Sequence, residues 1–154
     1  MKAKIIFLLS IFSVQSYACP SLDGVWKSSL SMSRDFNISR SLIEESTREF
    51  RDQIIGKSSV TYIDSVVSFT FEKTPEIVIQ GKIYPWDLSN ITSAYEVLGC
   101  TENQMVMKWS AFDTDFITTL NFENDNVYWI YEGMPNGTGN DHTREYFVRE
   151  RKSN

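Results

Sequence analysis

From residue 24 onward, apolar and polar side chains alternate in short runs, the period of half-buried strands. The runs cover residues 24–33, 60–63, 66–72, 76–83, 91–99, 104–112, 116–122, 127–132 and 144–149. In the first of them Trp26, Leu30 and Met32 fall on one side. Thr74-Pro75 separates the third run from the fourth, and a polar loop over Asp87-Leu88-Ser89-Asn90 precedes the fifth. Glu123-Asn124-Asp125-Asn126 reads as the turn of a hairpin. One segment changes period. Leu42, Ile43, Phe50 and Ile54 share a helical stripe, Ser41 and Glu44 form a capping box, and Gly56 supplies a left-handed stop. The spacing predicts a helix over 42–55. Eight or nine short antiparallel strands with one helix after the first predict a mainly-β sandwich or barrel.

Alternation also predicts faces. Pairing Phe122 with Val127 across the hairpin places Leu120, Phe122, Val127, Trp129 and Tyr131 together. Met105, Met107 and Trp109 form a similar face on the preceding strand. Lys108, Asn121 and Glu123 occupy the opposite faces, so the aromatic and methionine faces are expected to point inward. They either fill a barrel or line a cavity within it.

The N-terminus follows other rules. Lys2 and Lys4 precede an apolar run to Val14, and small residues Ser16 and Ala18 stand at −3 and −1 of a cleavage site. This order is that of a secretory signal over residues 1–18, and the run is too short to span a membrane. The chain is therefore expected to be exported, periplasmic or secreted, with one domain over 19–154. Cys19 and Cys100 are the only cysteines, and an exported chain with an even count favours a disulfide between them. The alternative is a lipid anchor on Cys19 as the first mature residue. Loss of Lys2 and Lys4 leaves 13 basic against 20 acidic side chains, a charge of −7. That balance argues against nucleic acid and anionic membrane surfaces as partners.

Leu22-Asp23-Gly24-Val25-Trp26-Lys27 resembles the start of the calycins, the lipocalin and fatty-acid-binding-protein barrels, whose first strand opens with Gly-x-Trp. The resemblance implies a single antiparallel lipocalin-like barrel closed at its base by Trp26. Asp35-Phe36-Asn37 ahead of the helix, and Thr143-Arg144-Glu145-Tyr146 on the last strand, are similar to the fatty-acid-binding branch. There the Arg and Tyr hold a ligand carboxylate. Two facings of the last strand remain open. With Arg144, Tyr146 and Val148 inward, Arg144 and Tyr146 meet an acidic headgroup. With Phe147 and Arg149 inward, Arg149 stacks on Trp26 as a closure residue.

Catalytic chemistry finds little support. His142 is the single histidine and lies in the glycine-rich segment 133–142, which lacks the Lys-Ser/Thr of a phosphate loop. No cofactor or metal motif is present, and no carboxylate pair stands out. The expected function is binding of a small, largely apolar or amphipathic molecule. Trp109, Trp129, Tyr131, Met105 and Met107 are its apolar contacts, and Arg144 and Tyr146 orient it. The alternative is an inhibitor or immunity-type module engaging another exported protein through Tyr84-Pro85-Trp86 and the 133–142 loop. N-terminal sequencing of the mature, extracytoplasmic protein is expected to begin at Cys19. An intact Met1 on cytosolic protein contradicts export.

Overall fold

The computed structural model describes residues 18–41, 43–72, 76–85, 90–131 and 143–151. Ten strands and two helices follow one another: β1 (Gly24–Ser28), α1 (Leu30–Arg40), α2 (Glu45–Ile54), β2 (Ser58–Ile63), β3 (Val66–Phe71), β4 (Glu76–Ile79), β5 (Lys82–Pro85), β6 (Ile91–Cys100), β7 (Gln104–Ala111), β8 (Thr114–Asn124), β9 (Val127–Tyr131) and β10 (Arg144–Arg149). Eight of the strands close an antiparallel barrel in the order β1-β10-β9-β8-β7-β6-β3-β2, and β4 and β5 form a separate hairpin. Closure removes the exposed edges on which a sheet of this length would aggregate. Asp64-Ser65, Gln80-Gly81 and Phe112-Asp113 all have positive φ at both residues, the two-residue turn whose twist matches the flanking strands. The turn at Gly81, φ 74°, splits the expected strand 76–83 into β4 and β5.

Two further expectations change. The strand predicted over 24–33 ends at Ser28, and Ser29 caps α1 by accepting from the Met32 amide at 3.5 Å. The single predicted helix is two helices. Ser41 does not start the second; its amide and hydroxyl both bond to Asn37 O, closing α1. Helix α2 opens at Glu44 with no side-chain cap. Leu42, Thr74-Pro75, Trp86, the 133–142 loop with His142, and residues 1–17 of the expected signal 1–18 lie outside the described residues.

The position of α1 has a physical cause. β1 pairs with β10 only through Phe147–Arg149, so the earlier residues of β10 need other partners. Ser29 donates its amide to Tyr146 O at 2.8 Å, and Tyr146 donates to Ser33 Oγ at 2.9 Å. Asn37 accepts from the Arg144 amide at 2.9 Å and returns Nδ2 to Arg144 O at 3.1 Å. Four helical residues advance ~6 Å and two strand residues ~6.8 Å, so side chains at i and i+4 reach successive outward-directed backbone groups. Helix α2 repeats the device. Gln53 exchanges bonds with Val78 at 2.8 and 2.6 Å, and Glu49 accepts from the Gln80 amide at 3.0 Å. Gly56, just past α2, lets the chain pass close to the start of α1, since a Cβ there would lie 2.8 Å from Leu30 Cβ.

At the opposite end the barrel is plugged. Trp26 is fully buried and donates Nε1 to Leu22 O at 2.7 Å. The Cys19–Cys100 disulfide, spanning 81 residues of sequence, straps the N-terminal segment to the end of β6. Closing so long a loop contributes up to ~4.5 kcal/mol in the chain-entropy model. Arg149 lies 4.3 Å from the Trp26 ring centroid and donates to Ser21, Asp23 and Asp125 carbonyls. Above this base, Val60, Tyr62, Val67, Met105, Met107, Leu120, Phe122, Tyr128 and Phe147 pack a continuous core.

Candidate ligand site at the barrel mouth

Register decides what faces the interior. Phe122 pairs with Tyr128, not Val127, and an irregularity between Phe122 and Asn124 shifts β9 by one position. A shift of one residue turns every side chain to the other face. Tyr128 and Ile130 therefore join the core, whereas Trp129 and Tyr131 lie on the outer wall. β10 follows, because Tyr146 stands opposite Trp129 and Arg144 opposite Tyr131. Phe147 faces in and stacks on Tyr128 at 5.1 Å.

Arg144 and Tyr146 consequently meet the outer wall and α1, not the barrel interior. The Arg144 guanidinium lies 3.6 Å from the Trp129 ring centroid and 4.1 Å from that of Phe36. Its Nη1 donates to the Tyr146 hydroxyl at 3.3 Å. This cation–π cluster pins α1 to the wall. Of the side chains expected to contact ligand, Met105 is buried in the lower core, Met107 is buried at the small cavity beneath Trp109, and Trp129, Tyr131, Arg144 and Tyr146 are outside. Trp109 alone among them faces the upper barrel.

Around Trp109 the structure assembles residues that the sequence reading did not single out. Phe69 packs against it at 4.7 Å, and Phe116 stacks on it at 4.7 Å with planes 20° apart. All three rings face inward yet are only half-buried. Trp109 donates Nε1 to Thr118 Oγ1 at 2.9 Å. The alternation Thr114, Phe116, Thr118, Leu120 was available as a signal, one strand beyond the methionine face. Below the rings lies a cavity of about 50 Å³ bounded by Phe69, Trp109, Thr118 and Ile130 above and by Tyr62 and Tyr128 below, with other core residues between.

No family model, curated protein or solved structure matches this chain. Its chemistry must be read from the site. The ionisable group that β10 sends inward near the mouth is Glu145, a buried carboxylate. Ser28 and Ser58 donate their hydroxyls to Glu145 Oε1, the latter at 3.2 Å, and Ser28 accepts from the Gly56 amide at 2.8 Å. Among the described residues no group of three or more His, Cys, Asp or Glu is placed to hold a metal ion. No described helix is long and apolar enough to cross a membrane.

Tyr62 and Tyr128 meet hydroxyl to hydroxyl at 3.3 Å inside the barrel. Burial pushes both phenols above their ordinary range; the Tyr62 and Glu145 charges push Tyr128 further. The folded state thus keeps protons that the unfolded chain releases near pH ~10. Stability is expected to be level with respect to these groups below that pH. It then falls as pH rises towards their folded values, by up to ~1.4 kcal/mol per pH unit for each tyrosine. Urea unfolding from pH 8 to 11.5 measures the slope, and Tyr62→Phe is expected to reduce it. An equal slope in the variant contradicts the assignment.

Proposed function

We propose that this chain is an exported, calycin-like binding protein that receives a small, flat, largely apolar molecule at the barrel mouth. The observation that carries the reading is the Phe69–Trp109–Phe116 group, three inward-facing rings that are only partly buried at one end of a closed barrel. Core aromatics are normally covered, whereas aromatics lining a concave mouth are the usual apolar wall of a ligand site. The closed eight-strand barrel, the helix after β1 and the buried Trp26 at its base support the calycin likeness. The Cys19–Cys100 disulfide supports an oxidising compartment, since such bonds are rare in the cytosol.

The ligand differs from the acid suggested by the Thr143-Arg144-Glu145-Tyr146 motif. Arg144 is committed to the outer wall, so it does not meet a ligand acid inside the barrel, and the cavity lining is apolar apart from hydroxyls. A neutral body fits this environment better than a carboxylate. A second reading, docking of another exported protein, draws on the exposed Ile83 and Tyr84 and on Phe112, which is 73% exposed at a positive φ of 51°.

Titration with N-phenyl-1-naphthylamine, a neutral fluorescent aromatic, tests the ligand reading against an anthroyloxy fatty acid. The neutral probe is expected to bind, and Trp109→Ala to weaken it about tenfold, ~1.4 kcal/mol. Arg144→Leu is expected to leave its affinity within about twofold while lowering Tm. Absence of binding by either probe overturns the reading and favours the protein partner.

A further inference from the structure

We infer that the molecule received at the mouth carries a neutral hydrogen-bond acceptor, of the carbonyl type, at its leading end. This acceptor docks between the Tyr62–Tyr128 pair and Thr118. The inference rests on the ligand reading above and adds the chemical class.

Tyr62 is 2% exposed and Tyr128 1%, and each hydroxyl has the other as its hydrogen-bond partner. Two phenols carry two protons, and their mutual bond uses one. The second has no acceptor among the described residues. Thr118 lines the same cavity and is part-buried. Its Oγ1 accepts from Trp109 Nε1 at 2.9 Å, which leaves its own proton to donate. All three side chains line the one cavity, and its other walls are Val60, Phe69, Met107, Leu120, Ile130 and Phe147, which offer no side-chain acceptor of oxygen or nitrogen. A buried donor without an acceptor costs ~1–3 kcal/mol, and native interiors rarely leave one so. Two donors converging on an apolar pocket are the complement of one oxygen with two lone pairs.

Size and charge narrow the class. The cavity, about 50 Å³, has room for a carbonyl and an adjoining carbon, not for a ring. The flat body then remains above it, against Phe69, Trp109 and Phe116. A carboxylate would have to shed its hydration in an apolar pocket whose lining residues carry no cation. A pure hydrocarbon would leave both donors unanswered.

Three probes of one shape separate these cases: 2-acetonaphthone, 2-ethylnaphthalene and 2-naphthoate, compared by calorimetry on the full mature chain. The ketone is expected to bind at least about tenfold more tightly than either of the others. Tyr62→Phe and Thr118→Val are each expected to shrink that advantage to about threefold or less. The carbonyl stretch of the bound ketone, read by infrared difference spectroscopy on the wild type, is expected to move to lower frequency. Equal affinity for ketone and hydrocarbon, or an unshifted stretch, overturns the inference while the aromatic cup stands. Tightest binding by 2-naphthoate overturns it as well. If none of the three binds, the ligand reading falls with it.

Discussion

The upper part of this molecule depends on how β10 satisfies its backbone where β1 no longer runs beside it. β1 turns away after Ser28, and the amides of Tyr146 and Arg144 would face solvent or go unpaired at a half-buried edge. Ser33 and Asn37, one helical turn apart and almost wholly buried, take the place of the missing strand. Four hydrogen bonds between α1 or its cap and β10 follow from that spacing, each worth ~1 kcal/mol net. Their larger consequence is geometric. They hold α1 along the wall, which brings Phe36 over Arg144 and keeps the guanidinium out of the barrel.

The same solution at α2 and β4 explains why the mouth is framed by helices and a hairpin. Glu49 and Gln53 complete the edge of β4, so the β4–β5 hairpin remains apart from the barrel sheet. Below, Trp26, the disulfide and the Arg149 bonds to three carbonyls make a rigid base. The barrel is therefore uneven along its axis. Its lower half is packed with large aromatic, aliphatic and methionine side chains, and its upper half is walled by the Phe69, Trp109 and Phe116 rings. Under the proposed ligand reading, that firm base lets the aromatic cup above it serve as a preformed site.

Much of this architecture was legible in the chain. Most strand positions and the cysteine pairing follow from alternation and from an even cysteine count, whereas alternation left sandwich and barrel open and the calycin resemblance pointed to the barrel. Two features were hidden, each for a physical reason. Residues 29–33 alternate like a strand, and nothing local says that Ser33 and Asn37 find their partners on β10, more than 100 residues away. Tertiary hydrogen bonds overrode local pattern there. The candidate site was lost to one irregularity near Asn124. It reverses the facing of β9 and, through pairing, that of β10, so Trp129, Tyr131, Arg144 and Tyr146 moved outward together. Trp109 was placed on the correct face because β7 pairs without a shift along its whole contact with β8.

Residue-resolved hydrogen exchange tests the central interaction most directly. If Ser33 and Asn37 act as the missing strand, the amides of Arg144 and Tyr146 are protected to within about tenfold of the barrel-paired amides of β10. In Asn37→Ala the Arg144 amide loses that protection selectively. Exchange of both amides in the wild type at the rate of an exposed loop would contradict the placement of α1 and the outward facing of Arg144 that follows from it.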